Sequence, residues 1–488
     1  MFYRYILKYT SLLGSVQVLN VLLNVLRNKA AAVFIGAMGM GLVAVYSNII
    51  ELMSGLSNFG LGISGVRTLS VLYETGRERE LRHEAMLIRT WIFLGALGGT
   101  LLTMLLAPLL IGIFDSVEIT SQDILLLSPA VGLSVLSLGE TIILRSAQRL
   151  KTLAWISFGI VAFGALISIL LYASWGLAGI IPVILLTALA TLGLFYNSSR
   201  KVCRYHICPL RWRLLSQGLP AVRLGIAFVG AGVCYSLVCL LINSMLSQMS
   251  DIATVGLYSV GLTLTVSYAR IIFSSMESVY FPRLSVVAAD GKKDATEQNE
   301  LINTQIDILV QIVTPFLLLM SLCLPLLVHL LYTDRFLTVL PMVWVALPSM
   351  FFKAMYTPVA YLSLAKSQGR LYATMEIIYA VLFGLFVILG FHLGGLLGAG
   401  IGISLAHLWD LLLLNLVYRR RFAFRLTGST LRMSLLQGSL LAVGLGSTLL
   451  SSEAARLVVG AAALILSALL GLGQMLRKSE WRWGARKK

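Results

Sequence analysis

The sequence predicts an all-α polytopic membrane protein of about fourteen transmembrane helices. Two parallel six-helix repeats form a V-shaped cleft, and one further helix pair follows them. Three observations lead there. Mean hydropathy is +0.89, with 58% hydrophobic and 12% charged residues, far from the composition of a soluble domain. Basic residues sit in short clusters between apolar runs of about 20 residues. Short patterns in the first half return in the second.

Taken in order, the first span runs from about Tyr9 to Ile35 and turns at Gly36 to Gly41 into a second ending near Val66. A charged loop, Tyr73 to Glu84, precedes spans three (Met86 to Phe114) and four (Ile124 to Leu144), which Asp115, Glu118 and Asp123 separate. Spans five (Leu153 to Ala173) and six (Gly176 to Tyr196) share a very short turn and lead to the basic stretch Arg200 to Arg213. Spans seven to twelve cover Gly218 to Leu246, Thr254 to Phe281, Thr304 to Leu331, Leu337 to Leu364, Leu371 to Phe391 and Leu396 to Val417. The last pair, Met433 to Leu450 and Leu457 to Met475, ends in a basic tail.

Assigning alternate loops to opposite sides tests this order. One side collects Arg4, Lys8, the Arg77 to Arg82 cluster, Arg145, Arg149, Lys151, the Arg200 to Arg213 cluster, Arg283, Lys292, Lys293, Lys366, Arg370, Arg419 to Arg425 and the tail. The other collects Arg335 and Arg456. By the positive-inside rule both termini are cytoplasmic. The same scatter argues against nucleic acid as the partner of the +17 net charge, because no single basic surface results.

The repeat is legible residue by residue. Gly41-Leu42, Arg67-Thr68-Leu69-Ser70-Val71 and Gly76-Arg77 are echoed by Gly256-Leu257, Arg283-Leu284-Ser285-Val286 and Gly291-Lys292, an offset of 215 or 216 residues. Pro129 and Ala147-Gln148-Arg149-Leu150 are echoed by Pro348 and Ser367-Gln368-Gly369-Arg370-Leu371. Both copies start on the same side, so the duplication is parallel. It divides the chain into residues 1–213, 214–425 and 426–488.

Within the first span, Gln17, Asn20, Asn24 and Arg27 recur at helical spacing and share one side of the rod. Unpaired amides and charges are costly in hydrocarbon, so this stripe is expected to face a protein interior or a watery cavity. Five cysteines, an odd number, argue against a disulfide framework. Cys203, His206 and Cys208 lack a partner pair to complete a metal site, so no metal or cofactor is expected.

Arg27-Asn28-Lys29-Ala30, Phe34 to Leu42, Gly60-Leu61-Gly62 and Val66-Arg67 resemble the opening of the bacterial polysaccharide flippases, the Wzx group of the multidrug/oligosaccharidyl-lipid/polysaccharide exporter superfamily. Val255 to Ser259 and Phe281 to Ser285 resemble the matching part of the second half. The resemblance implies a transporter rather than an enzyme. It implies carriage of an undecaprenyl-pyrophosphate-linked oligosaccharide from the inner to the outer leaflet of the bacterial cytoplasmic membrane, with membrane lipid and a polysaccharide polymerase as partners. The lipid II flippases of the same superfamily also carry an extra helix pair, which keeps that substrate open.

Passing a pyrophosphate across about 30 Å of hydrocarbon calls for fixed cations. Arg27, Lys29, Arg67, Arg270 and Lys353 are the candidates, with Gln17, Asn20, Asn24 and Asn243 for sugar hydroxyls. Arg67 equally suits an anchoring role at the cytoplasmic surface, and Arg27 a pairing with Glu51. Glu51, Glu140 and Asp410 are candidates for a coupling proton or sodium ion, with structural pairing open for each. Glu277 is a further acid inside a span, and Asp307 and Glu376 are expected to cap helices. Pro315, Pro325, Pro348 and Pro358 are candidate bends. A cation-coupled multidrug antiporter of the same superfamily would need acids and aromatic faces with few fixed cations. A glycan polymerase or ligase would need a substantial external loop, and none here exceeds about 12 residues.

Overall fold

Helices make up every regular element of the described residues, 2–114, 118–203, 215–289 and 295–485 of this computed structural model. The first group comprises α1 (Phe2–Phe34), α2 (Gly36–Ser57), α3 (Leu61–Glu74), α4 (Glu78–Leu105), α5 (Ala107–Phe114), α6 (Ser121–Ser146), α7 (Leu150–Trp175) and α8 (Ile180–Ser199). Then come α9 (Leu219–Met249), α10 (Ile252–Leu262), a π-helical turn at Thr263–Ser267, α11 (Tyr268–Ala289) and α12 (Ala295–Leu331). The chain closes with α13 (Leu340–Ala346), α14 (Pro348–Ala365), α15 (Gly369–Phe422), α16 (Gly428–Gly446) and α17 (Glu453–Ala485).

By length and composition, eight helices among the described residues can cross a membrane, or nine if the bent segment Asp334–Ala365 counts as one span. Two of these runs, Leu150–Ser199 with 50 residues and Gly369–Phe422 with 54, are long enough to cross twice. Both are interrupted at glycine: Gly176, with φ +56, separates α7 from α8, and Gly394 and Gly395 leave helical geometry inside α15. The protein is an all-helical multi-pass membrane protein, as its hydropathy predicts.

Several boundaries differ from the sequence expectation. The turn predicted over Gly36 to Gly41 is confined to Ile35 and Gly36, and helix resumes at Gly36 itself. The second predicted span is broken at Asn58 to Gly60, where the Asn58 Oδ1 accepts the Gly60 amide at 2.7 Å and Gly60 adopts φ +68. A side chain there is barred on two grounds: the backbone is left-handed, and a Cβ would stand 2.0 Å from the Gly225 carbonyl oxygen. Of the candidate prolines, Pro348 lies at a 41° bend between α13 and α14, while Pro315, Pro325 and Pro358 run inside helices. Asp307 and Glu376 do not cap. They lie well inside α12 and α15, and Asp307 is buried.

The chain divides into two compact units, Met1–Leu257 with Leu330–Thr333, and Tyr258–His329 with Asp334–Lys488. In the first unit, the repeated Gly-Leu pairs explain themselves as a close crossing of α2 and α10. A Cβ on Gly41 would fall 2.0 Å from the Ile252 carbonyl oxygen, and one on Gly256 would fall 1.9 Å from that of Ala37. Each glycine thus receives the backbone four residues before its counterpart, a reciprocal small-residue contact of the kind that packs helices closely in membranes. In the second unit, the final pair is fastened by polar contacts. Gln437 Nε2 donates to the Ser467 carbonyl at 3.1 Å, Ser467 Oγ donates back to Gln437 Oε1 at 2.5 Å, and Gln311 on α12 donates to Gln474 on α17 at 2.9 Å.

Candidate functional site

Polar side chains inside a membrane protein must find partners, and those partners identify where charge is held. On α1, Asn20 is buried against α7, its Nδ2 donating to Ser157 Oγ at 3.3 Å, while its Oδ1 has no partner among the described residues. About two turns further along α1, the Arg27 guanidinium lies beside Tyr172 of α7. Gly164 of the same helix is its neighbour, a Cβ there standing at an ordinary contact distance of 3.9 Å from Arg27 Nη1. The first helix therefore turns part of its polar stripe onto α7, whereas Asn24 is exposed. Lys29 Nζ donates to the Tyr332 carbonyl. Asn243 is buried on α9, and Glu51 is exposed on α2 with its charge acting on Cys239.

Elsewhere in the same unit, α4, α6 and α8 enclose an ion pair. Arg89 Nη2 and Nε reach Glu140 Oε2 and Oε1 at 2.6 and 3.0 Å, in the fork geometry that suits arginine and carboxylate. Arg89 Nη1 donates to the Cys203 carbonyl at 3.3 Å, and Ser199 Oγ donates to Glu140. Both charges are almost wholly buried, at 2% and 4% side-chain exposure. Beside them lies a cavity of about 440 Å³ with largely apolar walls from Ile92, Leu136, Leu189 and Leu192. Sequence reasoning overlooked Arg89 as a basic residue inside a span. Its signal was present, since it follows Met86, the start assigned to that span.

The second unit holds a charged cluster between α14 and α15. Lys353 is half-buried, with Nζ 5.6 Å from the centre of the Phe273 ring, and its charge acts on Glu376, His407 and Asp410. Asp410 and His407 are buried. His407 Nδ1 is bonded to the Ile403 carbonyl at 2.9 Å and Nε2 faces the Tyr379 hydroxyl at 3.2 Å. Glu376 and Asp410, with Tyr356, Tyr372, Tyr379 and Tyr418, line a cavity of about 10 Å³, roughly the room one water molecule or small ion requires. Helical spacing accounts for part of this, since His407 and Asp410 are three residues apart on one face of α15. The fold brings Lys353 and Asp410 together, as two predicted residues, and adds Glu376 and His407. The side chains of Gln17, Arg270 and Glu277 lie outside the described residues, as do His206 and Cys208. Arg67 is exposed on α3.

Comparison with known proteins adds a family and a fold. The family described as "Polysaccharide biosynthesis protein" matches residues 32–341. No curated protein matches the sequence. Among solved structures, lipid II flippase MurJ in an inward closed conformation is similar with a TM-score of 0.69 and 14% identity, over 96% of this chain and 99% of that one. An inward-facing multidrug resistance MATE family transporter of the MOP superfamily is similar with a TM-score of 0.65 and 15% identity, over 83% and 94%. A MOP superfamily transporter from Pyrococcus furiosus, described as having a binding pocket of reverse polarity, gives a TM-score of 0.55 and 16% identity over 85% and 96%. These likenesses establish the fold.

Proposed function

This chain belongs to the polysaccharide biosynthesis protein family, and from that premise we propose that it is a flippase for an undecaprenyl-pyrophosphate-linked oligosaccharide. The lipid-linked glycan passes from the cytoplasmic to the periplasmic leaflet of a bacterial inner membrane, and both termini are cytoplasmic. Fourteen spans carry the work, with residues 1–213 and 214–425 as the repeated halves whose rocking alternates access, and 426–488 as the added pair. Arg27, Lys29, Arg67, Arg270 and Lys353 receive the pyrophosphate, while Gln17, Asn20, Asn24 and Asn243 serve the sugar hydroxyls. The unmatched Asn20 Oδ1 supports that role, because a buried acceptor without a donor is costly until one arrives.

The observation that carries this reading is the family match over residues 32–341. The acids divide by their surroundings. Glu140 is committed to Arg89, whereas Asp410 and Glu376 share a small polar cavity beside Lys353, the better place for a coupling proton or sodium ion. A second reading, a lipid II flippase, draws on one specific observation: the likeness to MurJ extends over 96% of this chain, against 83% for the MATE transporter.

Depleting the protein separates the two readings. The undecaprenyl-linked oligosaccharide is expected to build up in the cytoplasmic leaflet, measured by its protection from a membrane-impermeant sugar-modifying reagent added outside. Build-up of lipid II alone would select the second reading, and unchanged leaflet distributions of both would exclude both.

A further inference from the structure

At one end of the first unit, α3 and α4 form a hairpin through Thr75 to Arg77, and a cavity of about 610 Å³ opens between them. Arg67, Thr68, Val71 and Leu72 line it from one face of α3, and Arg79, Glu80, His83 and Glu84 from one face of α4. Its charges are unevenly committed. Glu80 is drawn to Arg77 at 3.5 Å, and the neighbouring Glu78 to Arg82 at 3.0 Å. Thr68 donates to the Ser64 carbonyl and His83 faces Gln217. Among the described residues, Arg67, Arg79 and Glu84 have neither an ion pair nor a hydrogen bond through their side chains. Two forked cations and one carboxylate are therefore left facing a common space.

We propose that this hairpin is a binding site for a zwitterionic phospholipid headgroup, a phosphate diester carrying a primary ammonium. The Arg67 and Arg79 guanidiniums take the phosphate oxygens, for which arginine offers paired donors. Glu84, with Glu80 beside it, takes the ammonium. With Glu80 drawn to Arg77, the headgroup meets two cations and one carboxylate, Arg67 and Arg79 for its phosphate and Glu84 for its ammonium. An anionic headgroup without an amine would leave the Glu84 carboxylate facing its phosphate with no donor between them, and a quaternary ammonium has no N–H to donate.

The surroundings fit a lipid rather than a soluble phosphate. Ile63 and Val71, one helical turn on either side of Arg67, are exposed at 56% and 57% and extend an apolar strip along α3 for the acyl chains. Beyond Glu84, α4 becomes predominantly apolar and enters its membrane-spanning stretch, so the cavity stands at the water–hydrocarbon boundary.

Native mass spectrometry of the full-length protein in a neutral maltoside detergent tests this without any transport step, and Glu84, which the flippase reading does not use, keeps its outcome distinguishable from the pyrophosphate contact given to Arg67. The protein is titrated with phosphatidylethanolamine, phosphatidylcholine and phosphatidylglycerol of identical acyl chains. Phosphatidylethanolamine is expected to bind about tenfold more tightly than either of the others, a difference of about 1.4 kcal/mol. Arg67→Gln with Arg79→Gln, and separately Glu84→Gln, are expected to remove that preference while leaving the unfolding temperature unchanged. Equal retention of the three lipids would overturn the proposal. So would a phosphatidylethanolamine preference that survives both sets of substitutions, or a preference for phosphatidylglycerol.

Discussion

Replacing Arg27 or Arg270 by alanine is expected to cut delivery of lipid-linked oligosaccharide to the outer leaflet by roughly a hundredfold, the scale on which truncating one partner of a desolvated charge pair weakens binding. Arg27 sits on α1 against Gly164 and Tyr172 of α7, where its fork can turn from the tyrosine hydroxyl to a phosphate oxygen. Arg270 lies in α11, directly after the π-helical turn Thr263–Ser267, a distortion often found at functional positions. Arg27→Lys keeps the charge but loses the fork, so an intermediate rate is expected. Outer-leaflet glycan normalised to the amount of inserted, monodisperse protein checks all three variants. Full transport by both alanine variants would remove these arginines from the path.

Arg89→Ala is expected to produce the largest loss of stability, about 3–5 kcal/mol, because it strands Glu140, almost wholly buried, without its bidentate partner. Glu140→Ala should do similar damage by stranding the arginine. The double substitution Arg89→Met with Glu140→Leu should recover most of the loss, since both desolvation costs vanish together. Thermal unfolding of the purified protein in detergent reads the series. An unfolding temperature for Arg89→Ala equal to that of the unsubstituted protein would show that the pair does not hold α4, α6 and α8 together. The stability effect also separates Glu140 from Asp410 and Glu376: replacing an acid used for coupling should alter transport more than unfolding.

The class of the protein was legible because hydropathy integrates over whole spans, and it survives every local misreading. Gly41 and Gly256 stand out in the sequence as an echo, and the fold shows why each lacks a side chain: the backbones of α2 and α10 approach one another there. Finer features were hidden for different reasons. The break at Asn58 to Gly60 falls within a run that is apolar on average, and its cause is a distant backbone, that of Gly225. Arg89 was absorbed into the apolar average of its helix, and its partner Glu140 is distant in the chain. Glu376 lies near the start of its predicted span, and its meeting with Asp410 depends on the break of α15 at Gly394 and Gly395, which lies between the two acids. The amides of α1 share one side of the helix by their spacing, but a periodic pattern cannot tell a helix partner from a ligand. Asn20 meets Ser157, and Asn24, one turn on, meets none among the described residues.

The most direct measurement is transfer in proteoliposomes containing only the purified protein and an undecaprenyl-pyrophosphate-linked oligosaccharide, with the glycan on each leaflet quantified by an impermeant reagent. Protein-dependent transfer of that lipid, fast in the unsubstituted protein and roughly a hundredfold slower with Arg27→Ala, is the expected result. Transfer no faster than in protein-free vesicles across proton and sodium gradients of either direction would contradict a flippase built on fixed internal cations.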